Sequence, residues 1–175
     1  MIEILEILKY ILPAGIVFLT SYSFFNSKLK SEENKEKYQL LIGNQKLITP
    51  LRLQAYERIA LLLERISPES LTVRLQSPTI NARQLHSLMI STVRSEFDHN
   101  LSQQIYISSN SWAALKNAKE NLIKAINIAG TKVAKDATST EFSISLFEAY
   151  GEFEKDPIEG ALEVIKVEIR QFFSL

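Results

Sequence analysis

No charged side chain occurs from Tyr10 to Ser27, and most of those 18 residues are apolar. Together with Ile2–Leu8 the run is long enough for a membrane-spanning helix, which needs roughly 20 mainly apolar residues at about 1.5 Å each. Glu3, Glu6 and Lys9 lie near the start, within reach of an interface. Tyr10 at one end and Tyr22, Phe24 and Phe25 at the other match the aromatic belts of membrane helices, and Pro13 and Gly15 are tolerated there. A cleaved signal peptide fits poorly, because the first residues carry acids and no small-x-small site follows. Ser21, Ser23 and Thr20 keep open a soluble alternative, in which residues 2–25 form an inter-subunit helix. The reading is an anchor over residues 1–27, a charged juxtamembrane stalk over 28–48 and a helical domain over 49–175.

Orientation follows from Lys and Arg alone. Lys28, Lys30, Lys35 and Lys37 follow the run, and only Lys9 and the amino terminus precede it. The positive-inside rule therefore puts the C-terminal domain in the cytoplasm of a bacterial inner membrane. The absence of Cys agrees with a reducing compartment and excludes disulfides, thiolate nucleophiles and Cys-bound metals. Acids 32, 33 and 36 dilute the basic stretch, so a strong anionic-lipid site is not indicated.

The body reads as all-α, a compact bundle of about five to six helices. Thr49-Pro50 looks like an N-cap with proline at the first helical position. The helix it opens reaches about Ile66, with an apolar arc of about 200° from Leu51 and Leu53 to Leu63, wide enough for neighbours on two sides. Ser67-Pro68 starts a short second helix. Asn81 with Gln84 is a capping-box start for a helix to about His99, buried through Leu85, Met89, Ile90, Val93 and Phe97. A long helix is expected from about Asn110 to Ala137, with a column of small residues (Ala114, Ala118, Ala125, Ala129) that lets another helix approach closely. Thr138 with Glu141 opens a helix through Phe142, Leu146, Phe147 and Tyr150. Asp156-Pro157 opens the last, with Ile158, Leu162, Ile165, Ile169 and Phe172 as its stripe. Residues 71–76 and 104–108 stay open between helix, strand and loop, although Ile105 and Ile107 alternate as in a short extended link.

Leu51-Arg-Leu-Gln-Ala-Tyr-Glu-Arg-Ile-Ala-Leu-Leu-Leu-Glu-Arg-Ile-Ser-Pro68 resembles a recurring block in an uncharacterised family of short membrane-anchored proteins from Bacteroidetes-type bacteria. The stretch from Glu96 to Ser108 resembles a second block, and Trp112 with Asn117-Ala-Lys-Glu120 a third. The resemblance covers most of residues 1–135. It implies location and architecture and brings no catalytic residue with it.

A formal net charge of zero gives no overall attraction to nucleic acid. The average conceals segregation. Residues 46–135 hold twelve basic and six acidic groups, and residues 136–175 hold three basic and nine acidic. Either the acidic helices pack beside the basic one, or the two present separate surfaces. Phosphate loops, a nucleophile elbow and zinc-protease motifs are absent. Glu96-x-x-His99 is half of a di-iron pattern, but the other histidine, His86, lies about 20 Å away along the same helix. No cofactor or metal is indicated.

More telling are polar residues inside apolar arcs. Arg52 projects between Ile59 and Leu63, Glu96 between Leu85 and Met89, and His86 between Val93 and Phe97. A buried charge is costly unless paired, so Arg52 and Glu96 are expected to meet, with Asp98 as substitute acid. The pair either fixes helix register or lines a pocket with Glu57 and His99. Asn100, Gln103 and Gln104 belong to a polar run at a bend, read as backbone-satisfying amides or a recognition loop. The functional expectation is a non-enzymatic interaction or scaffolding module, with the bilayer and an unidentified protein as partners. A ligand-binding or enzymatic pocket and a homo-oligomer remain alternatives.

Overall fold

The computed structural model describes residues 2–173, and their side chains except at 2–14, 33–34, 40–41, 44 and 173. Six α-helices follow one another: α1 (Ile2–Arg65), α2 (Pro68–Leu75), α3 (Ala82–His99), α4 (Ser109–Lys132), α5 (Ser139–Gly151) and α6 (Pro157–Phe173). A 3-10 turn, Leu101–Ile105, joins α3 to α4. The all-helical expectation holds for the described residues. Contacts divide the chain into two units, Met1–Thr49 and Pro50–Leu175.

In the first unit every described side chain is exposed, from Gly15 to Thr49. Among the described residues no helix is long and apolar enough to cross a membrane. The expected span takes about half of its residues from 1–14, and the side chains of those residues lie outside the described set.

In the second unit the core follows from the helical patterns. Tyr56, Ile59 and Leu63 of α1 and Ile66 just past its end are buried, as are Leu85, Met89 and Val93 of α3 and Leu115, Leu122 and Ile126 of α4. The most connected helix is α4, which packs against α3, α5 and α6. Its Ala118, Ala125 and Ala129 are buried and Ala114 half-buried, so the small-residue column does admit close neighbours. Phe142, Leu146 and Tyr150 line the inner side of α5, and Ile158, Leu162 and Ile165 that of α6.

Local capping chemistry sets where helices start. The Asn81 and Thr138 boxes are both complete, with side chains bonded reciprocally to Gln84 and Glu141. Ser67 caps α2, which settles residues 68–75 as helix rather than strand.

Several boundaries differ from expectation. Thr49-Pro50 does not start a helix, since α1 runs through it. A proline preceded by a capping residue carries the same local signature at a first turn as inside a longer helix, and only the upstream residues distinguish the two. Leu51 and Leu53, counted in the apolar arc, are exposed, as are Phe147 and Phe172. Helix α4 ends at Lys132 instead of Ala137. Residues 104–105 belong to the 3-10 turn, so the expected extended link is absent; Gln103 and Tyr106 donate backbone N–H bonds to Asn100 and Gln103. The extended contact among the described residues is an isolated antiparallel bridge between Asn81 and Thr138.

Candidate functional site

The expected Arg52–Glu96 pair does not form. Glu96 projects from α3 towards the α1–α2 corner, where Arg65 contacts its Oε1 through Nη2 at 2.5 Å and Nε at 2.9 Å. Arg74 of α2 lies on the same oxygen at 3.4 Å and donates from Nη2 to the Arg65 carbonyl at 2.5 Å. Thus Arg74 serves a free carbonyl at the C-terminal end of α1 and shares the acid, a use of cations that helix ends favour. The Arg65 guanidinium, and then Arg74, hold the Glu96 carboxyl below the usual range against a smaller opposing effect of burial. The acid in an apolar arc was a sound signal, but α1 carries several arginines and the sequence does not select among them.

Arg52 takes a different place. Its Nε donates to the Tyr106 carbonyl at 3.0 Å, and its guanidinium carbon lies 3.9 Å from the centroid of the Phe172 ring. It therefore joins α1, the 3-10 turn and α6, partly through a cation–π contact.

Beside it lies a group that the sequence reading missed, centred on Glu168 of α6. The buried Tyr56 hydroxyl donates to Oε1 at 2.5 Å, Ser108 Oγ donates to Oε2 at 2.6 Å, and Ser111 Oγ also donates to Oε2. Ser108 is the N-cap of α4, and its Oγ accepts the Ser111 backbone N–H at 3.0 Å. The carboxylate thus sits by the positive end of α4. Burial pushes the Glu168 carboxyl up, and the serine and tyrosine hydroxyls with the Arg52 charge outweigh it, so the group titrates below the usual range. Burial and the Glu168 carboxylate push the Tyr56 phenol up. A carboxylate held so firmly anionic, with three donors on it, is a poor general base. Its role is to tie α1, α4 and α6 together.

A smaller counterpart lies at the start of α6. Asp156 Oδ1 accepts the Tyr150 hydroxyl at 2.7 Å and the backbone N–H groups of Ile158 and Glu159 at 2.8 and 3.0 Å.

The remaining candidates are dispersed. His86 is half-buried, with Nε2 3.0 Å from Asn127 Oδ1 and its ring edge-on to Phe142. Gly130 makes room for that ring, since a Cβ there would lie 2.9 Å from His86 Cδ2. Asp98 and His99 are exposed on an open face of α3 that also carries His86 and Arg94. Glu57 and Gln104 are exposed. Asn100 donates from its amide to the Glu96 carbonyl at 2.9 Å, a local bond at the end of α3. Gln103 is buried and donates to Ser102 Oγ at 3.3 Å. Asp98 does not act as substitute acid for Arg52, whose partners are a carbonyl and a ring. Among the described residues no three His, Cys, Asp or Glu side chains converge on a metal-sized point.

No curated protein and no solved structure matches the chain. A model for a family of unknown function (DUF7935) matches residues 2–172, which takes in all six helices and extends beyond the blocks before residue 135. The match spans both units of the chain, and the chain belongs to this family of unknown function.

Proposed function

We propose that the chain is a single-pass inner-membrane protein of a Bacteroidetes-type bacterium, held by residues 2–27, whose cytoplasmic bundle is a non-enzymatic interaction or scaffolding module. The observation that carries the anchor is all-round apolar exposure. Ile16, Val17, Phe18 and Leu19 are consecutive and all exposed. At about 100° per residue, four consecutive positions go round the whole helix. A helix joining one partner helix needs one apolar stripe, whereas a helix apolar on every side suits a fully apolar surrounding such as lipid. Tyr22, Phe24 and Phe25, also exposed, suit the headgroup level that follows.

The interaction reading is favoured over a pocket by where the polar groups go. Arg52, Glu57, Glu96 and His99, the four residues expected to line a pocket, are not gathered: the first and third have separate partners, and the others face solvent. Alkaline carbonate treatment of membranes tests the anchor. The full chain should stay in the pellet, and a variant lacking residues 1–27 should appear in the supernatant. Extraction of the full chain by carbonate would reject the anchor and favour the inter-subunit helix.

A further inference from the structure

The outward side of the α2–α5 pair carries an apolar strip that nothing in the bundle covers. Val73 is 85% exposed, Ile144 56% and Phe147 40%. Two hydrogen bonds fix the pairing of the helices: Gln76 Nε2 donates to Thr140 Oγ1 at 3.0 Å, and Ser143 Oγ donates to Gln76 Oε1 at 3.1 Å. Ser139 Oγ also donates to the Ser77 carbonyl at 2.8 Å, just past the end of α2. The end of α2 thus meets the start of α5 and the two helices pack together, so they run antiparallel, with Gln76 level with the start of α5.

Helical spacing then puts the exposed residues together. Glu69 and Val73 of α2 and its C-cap Gln76 fall within an arc of about 60°, and Thr140, Ile144 and Phe147 within a similar arc on α5. Because Gln76 touches Thr140, the two stripes run side by side and Val73 comes level with the Ile144–Phe147 turn. The rim is acidic: Glu69 on one stripe, Glu141 and Glu148 flanking the other. Neighbouring cations are committed elsewhere, Arg74 to Glu96 and the Arg65 carbonyl, and Lys132 to Glu152 at 2.8 Å.

We propose that this α2–α5 face is a docking seat for an amphipathic helix of a partner protein, with an apolar seam on Val73, Ile144 and Phe147 and Lys or Arg flanks towards Glu69 and Glu148. The proposal rests on the interaction-module reading and names the partner chemistry. An apolar strip of this width, read at i, i+3 and i+4 spacing, suits one helix laid along it. The acidic rim, of one sign on both stripes, selects the sign of the partner's flanks.

The test uses the full chain in cells of its native host. A photo-reactive p-benzoylphenylalanine is placed at Ile144, and a control at Leu88, on the outer side of α3. The Ile144 probe should give a discrete adduct, and the cross-linked peptide, sequenced by mass spectrometry, should be an amphipathic helix with basic flanks. Combining Glu69→Lys with Glu148→Lys should lower that adduct by about tenfold or more through like-charge repulsion, while the purified protein still unfolds in one cooperative transition, its melt lowered only slightly because Glu69 lies in the first turn of α2. Absence of an adduct at Ile144, an adduct with a second copy or with lipid, or an adduct indifferent to the charge reversal would each overturn the proposal. Adducts at Leu88 with none at Ile144 would overturn it while leaving the interaction reading intact.

Discussion

Glu168 is the place to test what holds the bundle together. In Glu168→Ala the Tyr56, Ser108 and Ser111 hydroxyls all lose their acceptor. A hydrogen bond to a charged group contributes about 1.5–3 kcal/mol, and three bonds sharing one carboxylate do not add in full. Ser111 is completely buried, so its hydroxyl would also be left without a partner. A loss of about 3–4 kcal/mol follows. Glu168→Gln keeps an acceptor oxygen and most of the volume but loses the charge, which predicts about 1–2 kcal/mol. Urea unfolding followed by the fluorescence of Trp112, whose ring packs 5.3 Å from that of Phe97, reads both. The order should be wild type, Gln, Ala. The pH dependence has a definite sign. Glu168 titrates lower in the folded chain than in the unfolded one, so its contribution is complete above the unfolded value of about 4.3 and is lost as the pH falls through the folded value. The gap between wild type and Glu168→Gln should therefore be widest near neutrality and narrow in acid below that point. The tie would be refuted if both variants stay within about 0.5 kcal/mol of wild type, the range of an ordinary surface change, or if the gap widens in acid.

Two further perturbations probe other contacts. Gly130→Ala should destabilise by about 1 kcal/mol, because pushing the His86 ring away outweighs the gain in helix propensity; in a His86→Ala background the same change should stabilise by about 1 kcal/mol. Thermal denaturation of the four variants decides it, and the same sign in both backgrounds would sink the close-approach account. A double-mutant cycle on Arg65 and Glu96 should show favourable coupling, and one on Arg52 and Glu96 none; coupling in the second cycle would restore the pairing expected from sequence.

The parts of this fold legible from sequence are those governed by local chemistry. The boxes at Asn81 and Thr138 need only residues three apart, so their geometry is written in the chain. The buried faces of α3 and α4 follow from spacing in the same way. What failed were judgements that depend on partners far away. Thr49-Pro50 has the chemistry of a helix start, yet the helix is already running when it reaches them. Glu96 was correctly singled out as an acid needing a cation, but the choice of Arg65 over Arg52 depends on the angle between α1 and α3. Glu168 carried the same signal, lying beside Ile165 and Ile169 at the edge of the apolar stripe of α6. Its donors come from positions 56, 108 and 111, and no spacing rule connects those to residue 168.

The bridge between Asn81 and Thr138 joins two residues that each open a helix, and the Ala82 N–H donates to the Ala137 carbonyl at 3.0 Å alongside it. The first turns of α3 and α5 are thereby pinned at a common level, and a slip of one helix along the other by a turn, about 5.4 Å, would break the joint while leaving each local cap intact. Residues 133–137 are for this reason the second half of a clasp more than a tether. Extra residues inserted there would have to bulge outwards ahead of Ala137, while an equal insertion at residues 152–155 would meet no such pairing of backbones.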